Sequence, residues 1–225
     1  MSPTDPPTAK RKVLIVDDHP IMRTGLAQLI NVESDLEVCG DAEDAHGALD
    51  AVQRTRPDIV IVDISLKDSS GIELIKDIRI RHPKLPVLVL SMHDESFYAE
   101  RVLRAGAHGY VTKSQAPTRV VEGIRRVLDG GVYVSETLTA KMLHKIVGGA
   151  EAGGGLLLDR LSDREFEVFE MIGKGRNKHE IAGKLHLSAK TIDAHRENIK
   201  KKLKISNAID LLKYAIQWVE FGGTR

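Results

Sequence analysis

The stretch Val13-Leu-Ile-Val-Asp-Asp-His19 decides the fold. Four consecutive apolar residues are too few to form a helix that covers a core. They also lack the alternation of a strand with one wet face. Such a run reads as a strand buried on both sides. Similar short runs lie at residues 36–39, 59–62, 87–90 and 110–111. Segments of helical period separate them, with Ile21, Leu26, Leu29 and Ile30 in one and Leu74, Ile75 and Ile78 in another. A last helix is expected over 118–128, with Val121, Ile124 and Leu128 on one side. Five β–α units predict an α/β, doubly wound, five-stranded, open and mostly parallel sheet.

The chain continues well past that sheet, to 225 residues, which suits two domains better than one. Residues 148–155 are Gly- and Ala-rich and read as a flexible linker, with a bridging helix before them. Everything after reads as helical. The expected division is a disordered Pro-rich tail over 1–11, an α/β domain over 12–131, a helical and Gly-rich linker over 132–158, and an all-α domain over 159–225.

Charge differs between the two parts. From Leu156 to Arg225 there are 14 Lys/Arg and 10 Asp/Glu, a net of +4, while the residues before carry 19 and 22, a net of −3. Only the rear part leans towards a polyanion partner. One cysteine, Cys39, excludes an internal disulfide. No apolar run approaches the roughly 20 residues that cross a bilayer, and the N-terminal residues lack the apolar core of a signal peptide. The expected location is cytoplasmic, with no membrane partner.

Chemistry gathers at the carboxyl ends of the predicted strands. The first ends in Asp17-Asp18, the third in Asp63, the fourth in Ser91, and Lys113 follows the fifth. In open parallel sheets functional groups collect at that edge, where strand order reverses. A lone Asp there usually caps a turn or helix. An acid pair, an acid, a hydroxyl and an ammonium at neighbouring strand ends point to something more. With a strand order of 2-1-3-4-5, strands one and three are neighbours; three carboxylates then converge in one crevice and repel one another, and a divalent cation with oxygen ligands and retained waters, Mg²⁺, resolves the conflict. Asp63 is then placed to act as a nucleophile towards a phosphoryl group, with Lys113 as a point charge for a phosphoryl oxygen.

These segments, together with Asp58-Ile-Val-Ile-Val-Asp63, Leu88-Val-Leu-Ser91 and Ala105-Gly-Ala-His-Gly-Tyr-Val-Thr-Lys113, resemble bacterial receiver domains over about residues 11–130. The resemblance implies Asp63 as phosphoacceptor. It implies Mg²⁺ held by Asp18 and Asp63 directly, by Asp17 through water, and by the backbone carbonyl of Ser65. It makes Ser91 and Lys113 the phosphoryl sensors and Tyr110 the switch aromatic, with Ser91 and Tyr110 drawn inward on phosphorylation. Met92 stands where many receivers carry Ala or Gly, so small phosphodonors are expected to gain access slowly. An aspartyl phosphohydrolase would share the acid crevice, but such enzymes usually carry a second acid two residues after the nucleophile. Here that position is Ser65.

The rear part opens with Leu161-Ser-Asp-Arg-Glu165, a capping-box spacing ahead of an apolar-periodic helix through Phe166, Phe169 and Ile172. A short helix is predicted over 178–185, a turn at 186–188, and a longer helix over 189–203 capped by Ser188. Two helices joined so tightly suit a helix-turn-helix. Ile192, Ile199 and Leu203 form the inward stripe of the long helix. The opposite face shows Lys190, Asp193, Ala194, Glu197, Asn198, Lys201 and Lys204.

Residues 161–215 resemble the LuxR-type DNA-binding domain, and the whole chain resembles the NarL/FixJ class of response regulators. The matching residues include Gly175, Asn177-Lys178, Glu180-Ile-Ala182, Leu187-Ser188, Thr191-Ile192, His195 and Asn198-Ile199. The resemblance implies double-stranded DNA as partner, phosphate contacts from Lys178 and Thr191, and base reading by the exposed face. It further implies a sensor histidine kinase as phosphodonor and a homodimer when phosphorylated, with a final helix over 208–219 as a dimer contact. Apart from phosphorylation and dephosphorylation of its own receiver, it implies no enzyme. Arg196, Lys200, Lys201 and Lys202 are expected to supply salt-dependent affinity. Asp193 and Glu197 depart from the family, where basic residues are frequent, and a carboxylate there can accept from cytosine N4.

Overall fold

The computed structural model describes residues 9–66, 69–93, 95–147, 155–158 and 160–220. The expected Pro-rich tail up to residue 8 and most of the Gly-rich linker, 148–154, lie outside the described residues. The chain forms two compact units, residues 1–135 and 136–225.

The first unit is a five-stranded sheet of β1 (Arg11–Val16), β2 (Leu36–Ala42), β3 (Ile59–Val62), β4 (Val87–Ser91) and β5 (Gly109–Thr112). All pairs are parallel and the order is β2-β1-β3-β4-β5. Strands β1 and β3 are therefore neighbours, and the chain reverses direction of travel across the sheet between them. Around the sheet run α1 (Pro20–Asn31), α2 (Ala45–Thr55), α3 (Gly71–Arg81), α4 (Glu95–Ala105) and α5 (Ala116–Leu128). The four residues of β3 are all buried, as expected for a strand covered on both faces. Leu26, Ile30, Val120, Ile124 and Val127 pack on one side against Val13, Ile15, Ile59 and Ile61.

Local chemistry sets the helix starts. Asp44 accepts from the Gly47 amide at 2.7 Å to cap α2, and Ser70 caps α3. Proline stands in the first turn of α1 and of α5, where its missing N–H costs nothing. Two features escaped the sequence pattern. A two-residue antiparallel ladder, Ser65–Leu66 with Ser69–Ser70, follows β3. Residues 132–134, assigned to the linker, instead run along the outer edge of β5. There Tyr110 N–H donates to the Tyr133 carbonyl at 2.7 Å, and Tyr133 N–H donates to the His108 carbonyl at 3.0 Å. Arg11, assigned to the tail, opens β1.

The second unit contains α6 (Glu136–Val147), α7 (Gly155–Leu158), α8 (Asp163–Gly173), α9 (Lys178–Lys184), α10 (Ala189–Leu203) and α11 (Ala208–Glu220). Capping boxes open α8 (Ser162 with Glu165) and α9 (Asn177 with Glu180). Ser188 caps α10 through the Thr191 amide at 3.0 Å. Phe166 and Phe169 pack at 5.2 and 5.7 Å between ring centres on Trp218 of α11. At Gly173 an added Cβ would meet the Ala215 carbonyl oxygen at 2.4 Å, so glycine lets α8 and α11 approach closely. Among the described residues, no helix is long and apolar enough to cross a membrane.

Candidate functional site: an acid crevice and a helix-turn-helix face

The sheet order brings the predicted strand-end residues together. Asp17 and Asp18 leave β1, Asp63 leaves the adjacent β3, and Lys113 follows β5. The Lys113 ammonium lies 2.6 Å from Asp17 Oδ2 and 2.6 Å from Asp63 Oδ2, with all three side chains buried. Two carboxylates therefore share one ammonium. Burial pushes the Asp63 carboxyl above its ordinary value; Lys113 pulls against this and the Asp17 charge adds to it. Burial by itself would lower Lys113, but Asp63 and Asp17 more than reverse that and hold it protonated, above its ordinary value. One ammonium cannot neutralise both acids, so net negative charge remains.

The donor set fits a divalent cation. Asp17, Asp18, His19 and Asp63 each offer a ligand atom, all within 4.8 Å of one another. Asp18 Oδ1 is buried and accepts no hydrogen bond. His19 Nδ1 approaches it to 2.6 Å, but without the alignment of a hydrogen bond. A carboxylate oxygen left in that state is one a cation would satisfy. The Ser65 amide donates to Asp63 Oδ1 at 3.2 Å, which holds the loop after β3 around the acid. Arg23 of α1 supports the other side, donating to the Asp17 carbonyl at 2.6 Å and to Asp41 at 2.7 Å.

Ser91 is buried at the end of β4, and its Oγ accepts from the His93 amide at 3.2 Å. Tyr110 is only 2% exposed and its hydroxyl donates to the His93 carbonyl at 2.9 Å. The ring is inward in this arrangement, anchored on the β4–α4 loop. His93 itself was not foreseen. It is buried, its Nε2 lies 2.9 Å from Ser65 Oγ, and its ring sits 4.4 Å from that of Tyr98. Nothing in the local pattern marks a histidine two residues beyond a strand end as buried. Met92 is 76% exposed.

In the second unit α9 and α10 meet across the turn 186–188, where His186 takes a left-handed φ of 52°. Ile192, Ile199 and Leu203 are buried. Lys190, Asp193, Ala194, Glu197, Asn198 and Lys201 are exposed, and Lys178, Thr191 and Arg196 are half-buried. The expected phosphate contacts have partners inside the domain. Lys178 Nζ pairs with Asp193 Oδ2 at 2.9 Å, and the Thr191 hydroxyl lies 2.7 Å from that of Ser188. Lys200 pairs with Glu197 at 2.9 Å and Lys202 with the buried Glu165 at 2.6 Å. Of the basic residues on α10, Lys190, Arg196 and Lys201 have no carboxylate partner among the described residues.

Comparison with known proteins places both units. Residues 13–125 match the response regulator receiver domain, and residues 159–215 match the bacterial regulatory proteins of the luxR family. The oxygen regulatory protein NreC of Staphylococcus carnosus is 33% identical over 210 residues, covering 92% of this chain and 97% of NreC. RcsB from Salmonella enterica serovar Typhimurium, solved bound to promoter rprA in the presence of phosphomimetic BeF3−, superposes with a TM-score of 0.60. It is 31% identical, over 92% of this chain and 99% of that one. A LuxR-family two-component response regulator from Aurantimonas covers 62% of this chain and 99% of its own, at 34% identity and a TM-score of 0.57. A parallel sheet with its acid crevice, a helix-turn-helix and these relatives together make the chain a member of the NarL/FixJ class of response regulators, a receiver domain joined to a LuxR-type DNA-binding domain.

Proposed function

We propose that Asp63 accepts a phosphoryl group from a phosphohistidine of a sensor kinase, and that this controls dimerisation and DNA binding by the second unit. The observation that carries the reading is the placement of Lys113, 2.6 Å from both Asp63 and Asp17 at the ends of neighbouring strands. An Asp63 carboxylate oxygen attacks phosphorus, the P–N bond breaks, and the donor imidazole leaves. Lys113 transfers its hydrogen bond from Asp63 Oδ2 to a phosphoryl oxygen. Ser91 can accept from His93 N–H while donating its own proton to the phosphoryl group, since a hydroxyl does both. Asp17, Asp18, Asp63 and the Ser65 carbonyl would hold Mg²⁺. When bound, it would offset charge on the incoming phosphoryl oxygens. Dephosphorylation regenerates the carboxylate, so the receiver's chemistry is confined to itself.

The switch is then the Tyr110–His93 bond. Movement of Ser91 towards the phosphoryl group shifts the His93 backbone, to which the Tyr110 hydroxyl is tied, and the population moves between two arrangements of the β4–α4 loop. In the second unit, Lys190, Thr191, Asp193, Ala194, Arg196, Glu197, Asn198 and Lys201 present the face of α10 to a major groove, with Lys178 near the phosphates. Ile209 and Leu212, 66% and 40% exposed on one side of α11, supply the dimer contact. A dimer addresses two half-sites about 34 Å apart. A protein that meets a kinase and chromosomal DNA in this way works in the cytoplasm.

The test is Asp63→Asn in the full chain. Acid-labile phosphate incorporation is expected to disappear, and DNA affinity to stop responding to phosphodonor. A response equal to wild type would overturn the assignment.

A further inference from the structure

Lys178 opens α9 and Asp193 lies on the second turn of α10, fifteen residues later, yet their charged atoms are 2.9 Å apart. Both side chains are partly exposed, 39% and 50%, so the pair sits on the surface that would face DNA rather than in the core. We propose that Asp193 is a specificity-determining residue that acts as an internal competitor for DNA phosphate at Lys178. This deepens the DNA-binding reading above and rests on it.

The physics is a competition for one ammonium. A phosphate oxygen that reaches Lys178 must replace Asp193 Oδ2. The freed carboxylate then stands beside a polyanion with no compensating partner, so the exchange is poor on DNA of arbitrary sequence. A cytosine amino group in the groove changes the outcome, because Asp193 can accept from N4 while Lys178 turns to the backbone. The correct sequence therefore recovers both interactions, and an arbitrary sequence recovers only one. The pair weakens non-specific binding more than specific binding and so widens the gap between them. Lys190 and Lys201, without carboxylate partners among the described residues, lack this selectivity and supply the sequence-independent attraction.

Removing the carboxylate charge is expected to release Lys178 to phosphate on any duplex. Neutralising one further phosphate steepens the dependence of log affinity on log salt by about 0.9. An exposed ion pair is weak, so the gain on non-specific DNA should be roughly three- to fivefold.

The experiment measures binding of the full chain to two fluorescein-labelled duplexes over a salt series. One has mixed sequence; the other is enriched by rounds of selection on wild-type protein. Four proteins are compared: wild type, Asp193→Asn, Lys178→Gln and the double variant. Asp193→Asn should bind the mixed duplex roughly three- to fivefold more tightly, with the steeper slope, and lose discrimination. In the Lys178→Gln background that gain should vanish. Removing any acid near DNA raises affinity somewhat, so the dependence on Lys178 is the deciding readout. An equal gain with and without Lys178, or no gain in either, overturns the proposal. Lys190→Gln with Lys201→Gln is the separate check on the α10 face. If that variant weakens binding while the Asp193→Asn gain ignores Lys178, the competitor role fails and the DNA face stands. If it binds as wild type does, the face itself is wrong and the competitor role falls with it.

Discussion

The imidazole of His93 reaches the Ser65 hydroxyl, Nε2 to Oγ at 2.9 Å, and so joins the loop after β3 to the loop after β4. The same residue's carbonyl accepts the Tyr110 hydroxyl at 2.9 Å. His93 thus touches both the loop that carries the phosphoacceptor and the aromatic residue expected to switch. A double-mutant cycle with Ser65→Ala and His93→Phe isolates the first contact, since Phe retains the packing on Tyr98. A coupling of about 1 kcal/mol in receiver stability is expected from urea unfolding. Strict additivity would show that the bond contributes nothing.

Lys113 is the counter-charge of two buried acids. Its replacement by Ala leaves them facing each other, and breaking a buried pair in this way costs about 3–5 kcal/mol. A divalent cation takes over the role of the lost ammonium. Thermal melts should therefore show a large loss in chelator and a larger rise on adding Mg²⁺ for Lys113→Ala than for wild type. An identical Mg²⁺ shift in both proteins would contradict the charge count in the crevice.

Gly71 begins α3 directly under Asp63. A Cβ there would lie 2.0 Å from the Asp63 carbonyl oxygen and 2.8 Å from Ile64 Cα, both backbone atoms. Gly71→Ala should displace the loop after β3 and sharply lower phosphate incorporation. At Gly25, inside α1, an added Cβ meets nothing within 4 Å. Gly25→Ala should instead stabilise by about 0.5–1 kcal/mol. Melting temperatures of the pair, moving in opposite directions, check both statements.

The DNA-binding unit should lose stability in acid through Glu165. Burial by itself would raise this carboxyl, but hydrogen bonds from Lys202 and from the Ser162 amide and hydroxyl outweigh it, and the net shift is downward. A carboxyl lowered on folding stabilises fully above its ordinary value of 4.5, and that stability is lost as pH falls through the folded value. Trp218 is the chain's one tryptophan and packs on Phe166 in this unit, so its fluorescence follows this unit selectively. Glu165→Gln should flatten the acid limb of its unfolding curve; an unchanged limb would place the effect elsewhere.

Met92 stands exposed directly after Ser91. Met92→Ala should speed labelling by acetyl phosphate several-fold if the side chain screens the crevice. Equal initial rates would show that it does not.

Much of the fold and of the acid crevice is legible in the sequence. Short apolar runs between amphipathic segments are too short for helices that cover a core and read as covered strands, and that placed Asp17, Asp18, Asp63 and Ser91 at strand ends. The long helix was legible in its start, which Ser188 caps, and closely in its end; Lys204, read as part of its exposed face, instead takes a left-handed conformation that closes the helix after Leu203. The run at 132–134 was not, since pairing along the edge of β5 is satisfied by backbone groups that leave no mark on side-chain type.

The sequence by itself determined the five strands, their order of succession, the caps at Ser162 and Ser188, and the acids and hydroxyl that stand at strand ends. Those follow from local periodicity and short-range hydrogen bonding. Tertiary structure alone decided that β1 and β3 are neighbours, so that Lys113 spans Asp17 and Asp63. It also decided that His93 is buried against Ser65, and that Lys178 is held by Asp193. Each of these joins groups far apart in the chain, and charge or hydroxyl type says nothing about which distant partner the packing will supply.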